Sequence, residues 1–456
     1  MNFKRNSYFL ILVQVFVFLF ISFSNSYAQG IEESFKKASE YSSKGMYDEA
    51  ITEFTKIIKA NPKLAKVYAG RGRVYLQKQS LDEAIADFTK AVEYEPGNND
   101  FYFLRGLANS FNKHYEQAIF DYSVVINSKP QTLLLSRAKK KSDSFFAGAY
   151  YFRGGVYREQ GNFDQAIADY TKALQYDQDL KEAREELALI YVSIGLSSLE
   201  RSEFDKAIIN YSKAIEISSD EVSYYTARGF AYNQKGSFDK ALSDYNKAIE
   251  INPAEAAAYF SRGDIYYNKG NFDLAMTDYS KAIQINPTIS LYYVGRANAY
   301  LDKNNIDQAI SDYSIAIKIN PNDSLAYDSR GLAYLIKKNY ERALSDMRKA
   351  KELGSNTHSD LIDRVEKVVE IDNELQSLSD QKEQLKLKQR QSEIIEEYHS
   401  KLAEQRQQKE LIRYQAEQQA YYQSIYNPKS SSFDLNLKKR YTIYNNDGSY
   451  STIQEQ

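Results

Sequence analysis

The chain has 456 residues, with 59 basic and 61 acidic side chains and a formal charge of −2. That balance lacks the basic excess of a nucleic-acid binder, and the length would suit about three ordinary domains. Cysteine and tryptophan are absent and tyrosine is abundant at 40. Disulfides, thiolate metal sites, cysteine nucleophiles and an acylated N-terminal cysteine are therefore all excluded.

Residues 1–28 read as a secretory signal peptide. Lys4 and Arg5 form a basic start, Tyr8 to Phe23 an apolar stretch, and Ser26-Tyr27-Ala28 a small-residue cleavage signal. This places the body of the protein in the periplasm or outside the cell. The alternative is an uncleaved N-terminal anchor, which would be the chain's one membrane attachment.

Beyond it, six of the seven prolines fall on a ruler: Pro62, Pro96 and Pro130 are 34 residues apart, as are Pro253, Pro287 and Pro321. Proline resists the helix interior, so a periodic proline marks a periodic helix end. With proline at position 32 of a 34-residue unit, nine units start at Ile31, Ala65, Asn99, Ala147, Ala188, Val222, Ala256, Ser290 and Ser324.

Other residues then fall into register. Position 8 is small in all nine units (Ala38, Gly72, Gly106, Gly154, Gly195, Gly229, Gly263, Ala297, Gly331), and position 20 is always alanine, from Ala50 to Ala343. Glycine within a helix costs up to about 1 kcal/mol relative to alanine, so its recurrence predicts a close neighbour. Position 24 is aromatic in eight units and Met347 in the ninth, and position 11 is tyrosine except at Asn109 and Ser198. Spacings of three, four and seven place these residues on one face of each of two helices, with a turn near position 15.

Arginine at position 7 accompanies aspartate at position 23 in seven units, from Arg71/Asp87 to Arg330/Asp346, with Lys37/Glu53 in the first and Ile194/Asn210 in the fifth. A hairpin turning near position 15 brings the two level and predicts an ion pair within each unit. An exposed pair contributes about 0.2–1 kcal/mol.

Small residues at 8 and 20, aromatics at 4, 11 and 24, and proline at 32 resemble the tetratricopeptide repeat over residues 31 to about 356. The resemblance implies an all-α fold, an α-solenoid of stacked helix-turn-helix units wound as a right-handed superhelix. Units one to three occupy 31–130 and units four to nine occupy 147–356, with an insertion at 131–146. The insertion reads as a surface loop or lengthened helix, or alternatively as a partner-contacting loop. Unit five starts seven residues late, and Leu180 to Leu199 reads as an extended first helix.

After Gly354, a helix C-cap signal, residues 357–371 should form a capping helix with Leu361, Ile362, Val365, Val368 and Val369 on one stripe. Residues 372–425, rich in Gln, Glu and Lys, read as one long polar helix with a weak coiled-coil seam. Residues 426–456 read as a mostly disordered tail, although Tyr441 to Ile453 alternates around Asp447-Gly448 in a hairpin pattern.

No catalytic constellation is present. His114, His358 and His399 are scattered, and the phosphate-loop, dinucleotide and zinc-protease motifs are absent. No enzyme activity, cofactor or metal is expected. In the resembled family the first helices line a concave groove, chiefly through positions 2, 5, 9, 12 and 13. Carried over by position, the resemblance implies a partner-binding set of Phe103, Leu107, Phe111, Tyr151, Phe230, Phe260, Tyr267 and Val294. Such rings could equally pack between adjacent helices. The sequence thus points to a non-enzymatic exported adaptor that binds a peptide or helix of a partner protein, with no nucleic acid. The alternative is an envelope-assembly component that self-associates through the C-terminal helix.

Overall fold

The computed structural model describes residues 26–128, 136–355, 359–377, 384–396, 440–444 and 450–454. The signal-peptide reading therefore falls largely outside the described residues; Ser26 to Ala28 belong to the first described helix, Ser26–Ser43. Contacts divide the chain into two compact units, one of Met1–Tyr191 with Pro428–Gln456, the other Val192–Asn427. Each is a tandem stack of helix pairs, the α-solenoid architecture.

The helices keep to the repeat. In the second repeat they are Ala65–Gln77 and Leu81–Tyr94, and in the sixth Val222–Gln234 and Phe238–Ile251. Between them the residue at position 15 is always left-handed. It is Gly45, Gly161, Gly236 or Gly270 with φ of 74–76°, or Gln79, Lys113, Ser202, Asn304 or Lys338 with φ of 59–63°. The N–H at position 16 then donates back to the carbonyl at position 11, as from Ser80 to Tyr75 at 2.9 Å and from Ser237 to Tyr232 at 2.8 Å. This Schellman geometry satisfies a carbonyl orphaned by the end of the first helix.

The second helix stops at an extended residue, such as Asn252 (φ −132°, ψ 97°) before Pro253, because a residue preceding proline is pushed out of the helical region. Unit four ends the same way at Asp177 (φ −139°, ψ 97°) without a proline. There the Asp177 carboxylate accepts from the Asp179 N–H at 3.1 Å, as the Asn252 side chain accepts from Ala254 at 3.0 Å. In these units the side chain at position 31 braces the turn, with or without the proline.

Packing within a unit is governed by small-against-large contacts. A Cβ added at Gly229 would lie 2.8 Å from Cε1 of Tyr245, and one at Gly72 would lie 2.9 Å from Cε1 of Phe88. The rings at position 24 are fully enclosed, among them Tyr122, Tyr170, Tyr211, Tyr245, Tyr279 and Tyr313. Each closes against its own unit and the next, as Tyr279 does between Gly263 and Gly295. A single helix pair could not bury such a ring, so stability accumulates at unit interfaces.

The inserted residues lengthen a helix. Ser136–Glu159 is continuous, so the first helix of unit four begins well before Ala147, and residues 129–135 lie outside the described set. Phe146 on this extension is buried, its ring 5.8 Å from that of Tyr176. Lys181–Glu200 is likewise an extended first helix.

At the C-terminal end, Ser359–Ser377 packs Leu361, Ile362 and Val365 against Leu335, Ala343, Leu344 and Met347 of the last repeat. The expectation of one long helix over 372–425 is corrected. Gln391 Nε2 donates to Asp372 Oδ1 at 2.9 Å, whereas 19 residues of straight helix would separate them by roughly 28 Å. The helix at 384–396 therefore doubles back, and Ile394 and Ile395 join Leu335, Tyr340, Leu361, Val365 and Val368 around one small cavity. The apolar stripe of the capping helix is wide enough to take the last repeat on one side and this helix on the other. The coiled-coil positions beyond residue 396 lie outside the described residues. Within the expected disordered tail, Arg440–Tyr444 and Tyr450–Gln454 pair as antiparallel strands, Tyr444 opposite Tyr450. Arg440–Tyr444 lies against the helix Ser136–Glu159.

Candidate interaction faces

The position 7 arginines and position 23 aspartates meet in every unit that carries both. Arg71 donates from Nε to Asp87 Oδ2 and from Nη2 to Asp87 Oδ1, both at 2.8 Å. Arg262 and Asp278 repeat this at 2.8 and 2.7 Å. The expected ion pair exists, but it is not an exposed one: the Asp121 carboxylate is 1 % exposed and the Arg105 side chain 16 %. Burial pushes the carboxyls of Asp87, Asp121 and Asp169 up, with the facing guanidinium opposing.

Two features of these arginines were not anticipated from sequence. The third nitrogen of the fork reaches position 25 of the preceding unit: Arg71 Nη1 donates to Thr55, Arg228 Nη1 to Ser212, and Arg330 Nη1 to Ser314, at 2.9–3.0 Å. One guanidinium thus joins three helices. It is also flanked by the tyrosines at positions 4 and 11, as Arg296 is by Tyr293 and Tyr300, both 5.9 Å to the ring centroid. That sandwich accounts for much of the tyrosine content. A second, outer ladder links units through position 14 and the previous unit's position 18: Lys78 to Asp48 at 2.5 Å, Lys269 to Asp239 at 2.8 Å, Lys303 to Asp273 at 2.5 Å. The recurrence of Lys and Asp or Glu at those positions is the sequence signal for it.

The first helices of successive units also touch one another directly, for example Val222–Gln234 with Ala256–Asn268. This explains the fate of the eight residues expected to bind a partner. Phe103, Leu107, Tyr151, Phe230, Phe260 and Val294 are buried. Phe103 packs against Tyr122, Phe145 and Phe152 at 5.4–5.8 Å, and Phe260 against Tyr279 and Tyr292 at 5.6 and 5.1 Å. These six are corrected from surface to core, because a first helix has neighbours on three sides and positions 5 and 9 face them. Phe111 and Tyr267 remain half-buried; the Tyr267 ring lies 5.5 Å from Phe272 and its hydroxyl donates to Asp302.

What is left on the first-helix faces mixes half-buried aliphatic side chains, among them Leu196, Leu199, Leu301 and Leu332, with polar ones. In the N-terminal unit, Arg158 pairs with Glu159 at 3.0 Å and with Glu186. Burial lowers the affinity of Arg158 for its proton, but the adjoining Tyr170 and Glu186 more than reverse this, so the guanidinium titrates above its usual range. Burial pushes the Glu186 carboxyl up, Arg158 opposing. In the C-terminal unit, Asp264 accepts from the Tyr279 hydroxyl at 2.7 Å and Asn298 from the Tyr313 hydroxyl at 2.5 Å. Among the described residues no cluster of three or more acidic or histidine side chains is arranged to hold a metal.

Tetratricopeptide repeat models match residues 35–99 and 70–122, 145–220, 256–289 and 325–356, and a TPR repeat model matches 229–270 and 297–337. Together they span more than half of the chain. The chain belongs to the tetratricopeptide repeat family. No curated protein matches it. Among solved structures, MamA is 27 % identical over 35 % of this chain and 94 % of its own, with a TM-score of 0.33. MamA of Desulfovibrio magneticus RS-1 is 17 % identical over 36 % and 94 %, with a TM-score of 0.34. YrrB, described as a TPR protein with an unusual peptide-binding site, is 21 % identical over 41 % and 93 %, with a TM-score of 0.34. Each spans only part of this longer repeat array.

Proposed function

We propose that this tetratricopeptide repeat protein is a non-enzymatic exported adaptor that holds a segment of a partner protein along its first-helix faces. One observation carries the reading. On the first helices of units five to nine, positions 12 and 13 carry the exposed carboxylates Glu200 and Asp302 and the amides Gln234 and Asn268, with neither lysine nor arginine. A face of acids and amides suits a segment that presents donors and basic side chains. Six of the eight apolar residues expected from sequence are spent on packing.

The test is binding of immobilised full-length protein to extended peptides matched in length and differing in charge. Basic peptides should be retained, and Asp302→Lys should weaken them about tenfold. Preference for acidic peptides, or indifference to Asp302→Lys, overturns the reading. Export rests on residues 1–28 and is tested by fractionating cells that express the chain with and without them. Against the assembly alternative, Ile395 of the C-terminal helix lines the cavity beside Val365 and Val368; light scattering of the full chain is expected to find a monomer.

A further inference from the structure

One unit keeps the position 7 arginine but not the tyrosine that flanks it. In the third repeat, position 11 is Asn109. The fifth repeat also lacks the tyrosine, carrying Ser198, but there the arginine is replaced as well, by Ile194. In other units the position 11 ring stands 5.8–6.0 Å from the guanidinium carbon, as for Arg71 and Tyr75, Arg153 and Tyr157, Arg228 and Tyr232, and Arg330 and Tyr334. Arg105 has Tyr102 on one side, at 5.5 Å. Arg105 also borders an open cavity of about 540 Å³, lined besides by Ile85, Thr89, Asn109, His114, Glu116, Gln117, Phe120 and Asp121.

The polar bonding shifts accordingly. All of the hydrogen bonds of Arg105 go to Asp121: Nε to Oδ2 at 3.0 Å and to Oδ1 at 3.2 Å, and Nη2 to Oδ1 at 2.7 Å. Asn109 Nδ2 adds a bond to Asp121 Oδ2 at 3.3 Å. Thr89, which occupies the position that accepts from the arginine fork in other units, lines the cavity instead.

The rim is unusual too. Position 22 is small or short in seven units (Thr52, Ala86, Ala168, Ser243, Thr277, Ser311, Ser345), whereas here it is Phe120, 61 % exposed. Phe120 also borders a second cavity of about 520 Å³ with Asn99, Ser123 and Asn127. It is a ridge between two depressions.

We propose that this cavity is a binding site for an aromatic side chain, tyrosine above all, carried by a segment of a partner protein. The incoming ring takes the place that the chain's own tyrosine fills in sister units. It packs on Arg105 where that side chain borders the cavity, an interaction of π-electrons with a delocalised cation, while Phe120 and Ile85 cover its edges. The volume admits the ring together with the backbone that carries it. The site lies between the second helix of unit two and the helix pair of unit three, so it is separate from the first-helix face. It deepens the adaptor reading and rests on it.

The probe is p-cresol, the tyrosine side chain as a free molecule, titrated against the full chain by saturation-transfer NMR, with 4-methylcyclohexanol as a non-aromatic match in size. We expect saturable p-cresol binding at least fivefold tighter than that of 4-methylcyclohexanol. Asn109→Tyr should abolish it by restoring the internal ring, with a melting temperature no lower than that of the wild type. Phe120→Ala, a substitution at an exposed position, should weaken it at least threefold, and it keeps the test decisive if Asn109→Tyr misfolds. Equal affinity for the two probes, or p-cresol affinity unchanged by Phe120→Ala and Asn109→Tyr, overturns the proposal. Failure of the charged-peptide experiment with p-cresol binding intact would overturn the first-helix-face reading alone.

Discussion

Arg296 and Asp312 are joined by two parallel bonds, Nε to Oδ2 at 2.7 Å and Nη2 to Oδ1 at 2.9 Å, in a site where the carboxylate side chain is 6 % exposed. Arg296 Nη1 meanwhile donates to Ser280 of the preceding unit at 3.0 Å. Removing one member leaves the other charged and nearly dry, and breaking such a pair costs about 3–5 kcal/mol. Asp312→Ala should therefore destabilise the C-terminal unit by about 3 kcal/mol in urea denaturation. Arg296→Met with Asp312→Leu should recover most of the loss; a double variant as weak as the single one would contradict this.

Five turns hold a non-glycine residue in the left-handed region, among them Gln79 (φ 63°) and Ser202 (φ 59°). That conformation costs an L-residue with a Cβ about 1–2 kcal/mol. Gln79→Gly and Ser202→Gly should each raise stability by about 1 kcal/mol, and Gly236→Ala should lower it by a similar amount. Thermal melts of the three variants read both signs at once.

Two glycines separate close packing from mere composition. A Cβ at Gly229 would press Tyr245 at 2.8 Å, while one at Gly155 would meet only the Tyr170 hydroxyl at 3.6 Å. Overpacking a closed contact costs about 1–3 kcal/mol. Gly229→Ala should lose stability in that range, and Gly155→Ala should be neutral or slightly stabilising through its helix propensity. No loss in Gly229→Ala would mean that the ring at position 24 moves freely.

The capping helix sits on the last repeat through Val365, which is 4 % exposed. A carboxylate placed there would be buried without a partner, at a cost of several kcal/mol. Val365→Asp should release the helix and expose Leu335 and Leu344. The expected signs are faster proteolysis between residues 353 and 360 and new binding of a hydrophobic dye, with the Arg–Asp ladder of earlier units intact.

Much of this was legible in the chain because it is local. Gly229 and Tyr245 are 16 residues apart, as are Arg296 and Asp312, and a hairpin of two helices leaves such pairs little choice of partner. What misled was the first-helix face. Phe230 and Phe260 stand at positions that a two-helix unit would expose, yet both are buried. Their burial comes from the neighbouring first helices, which the periodicity of one unit does not reveal. The outer Lys–Asp ladder was visible only as a recurrence 30 residues apart, a spacing that makes sense once the units are stacked.

The sequence by itself determined the repeat length, the two helices of each unit, the place of the turn between them and the pairing of an arginine with an aspartate. Those follow from backbone sterics and short-range geometry. Only the tertiary structure decided which rings remain at the surface, where the C-terminal helix turns back so that Gln391 meets Asp372, and that the missing tyrosine at Asn109 leaves a cavity beside Arg105. Each of these depends on how much of a helix surface its neighbours cover, a property of the stack and not of any single unit.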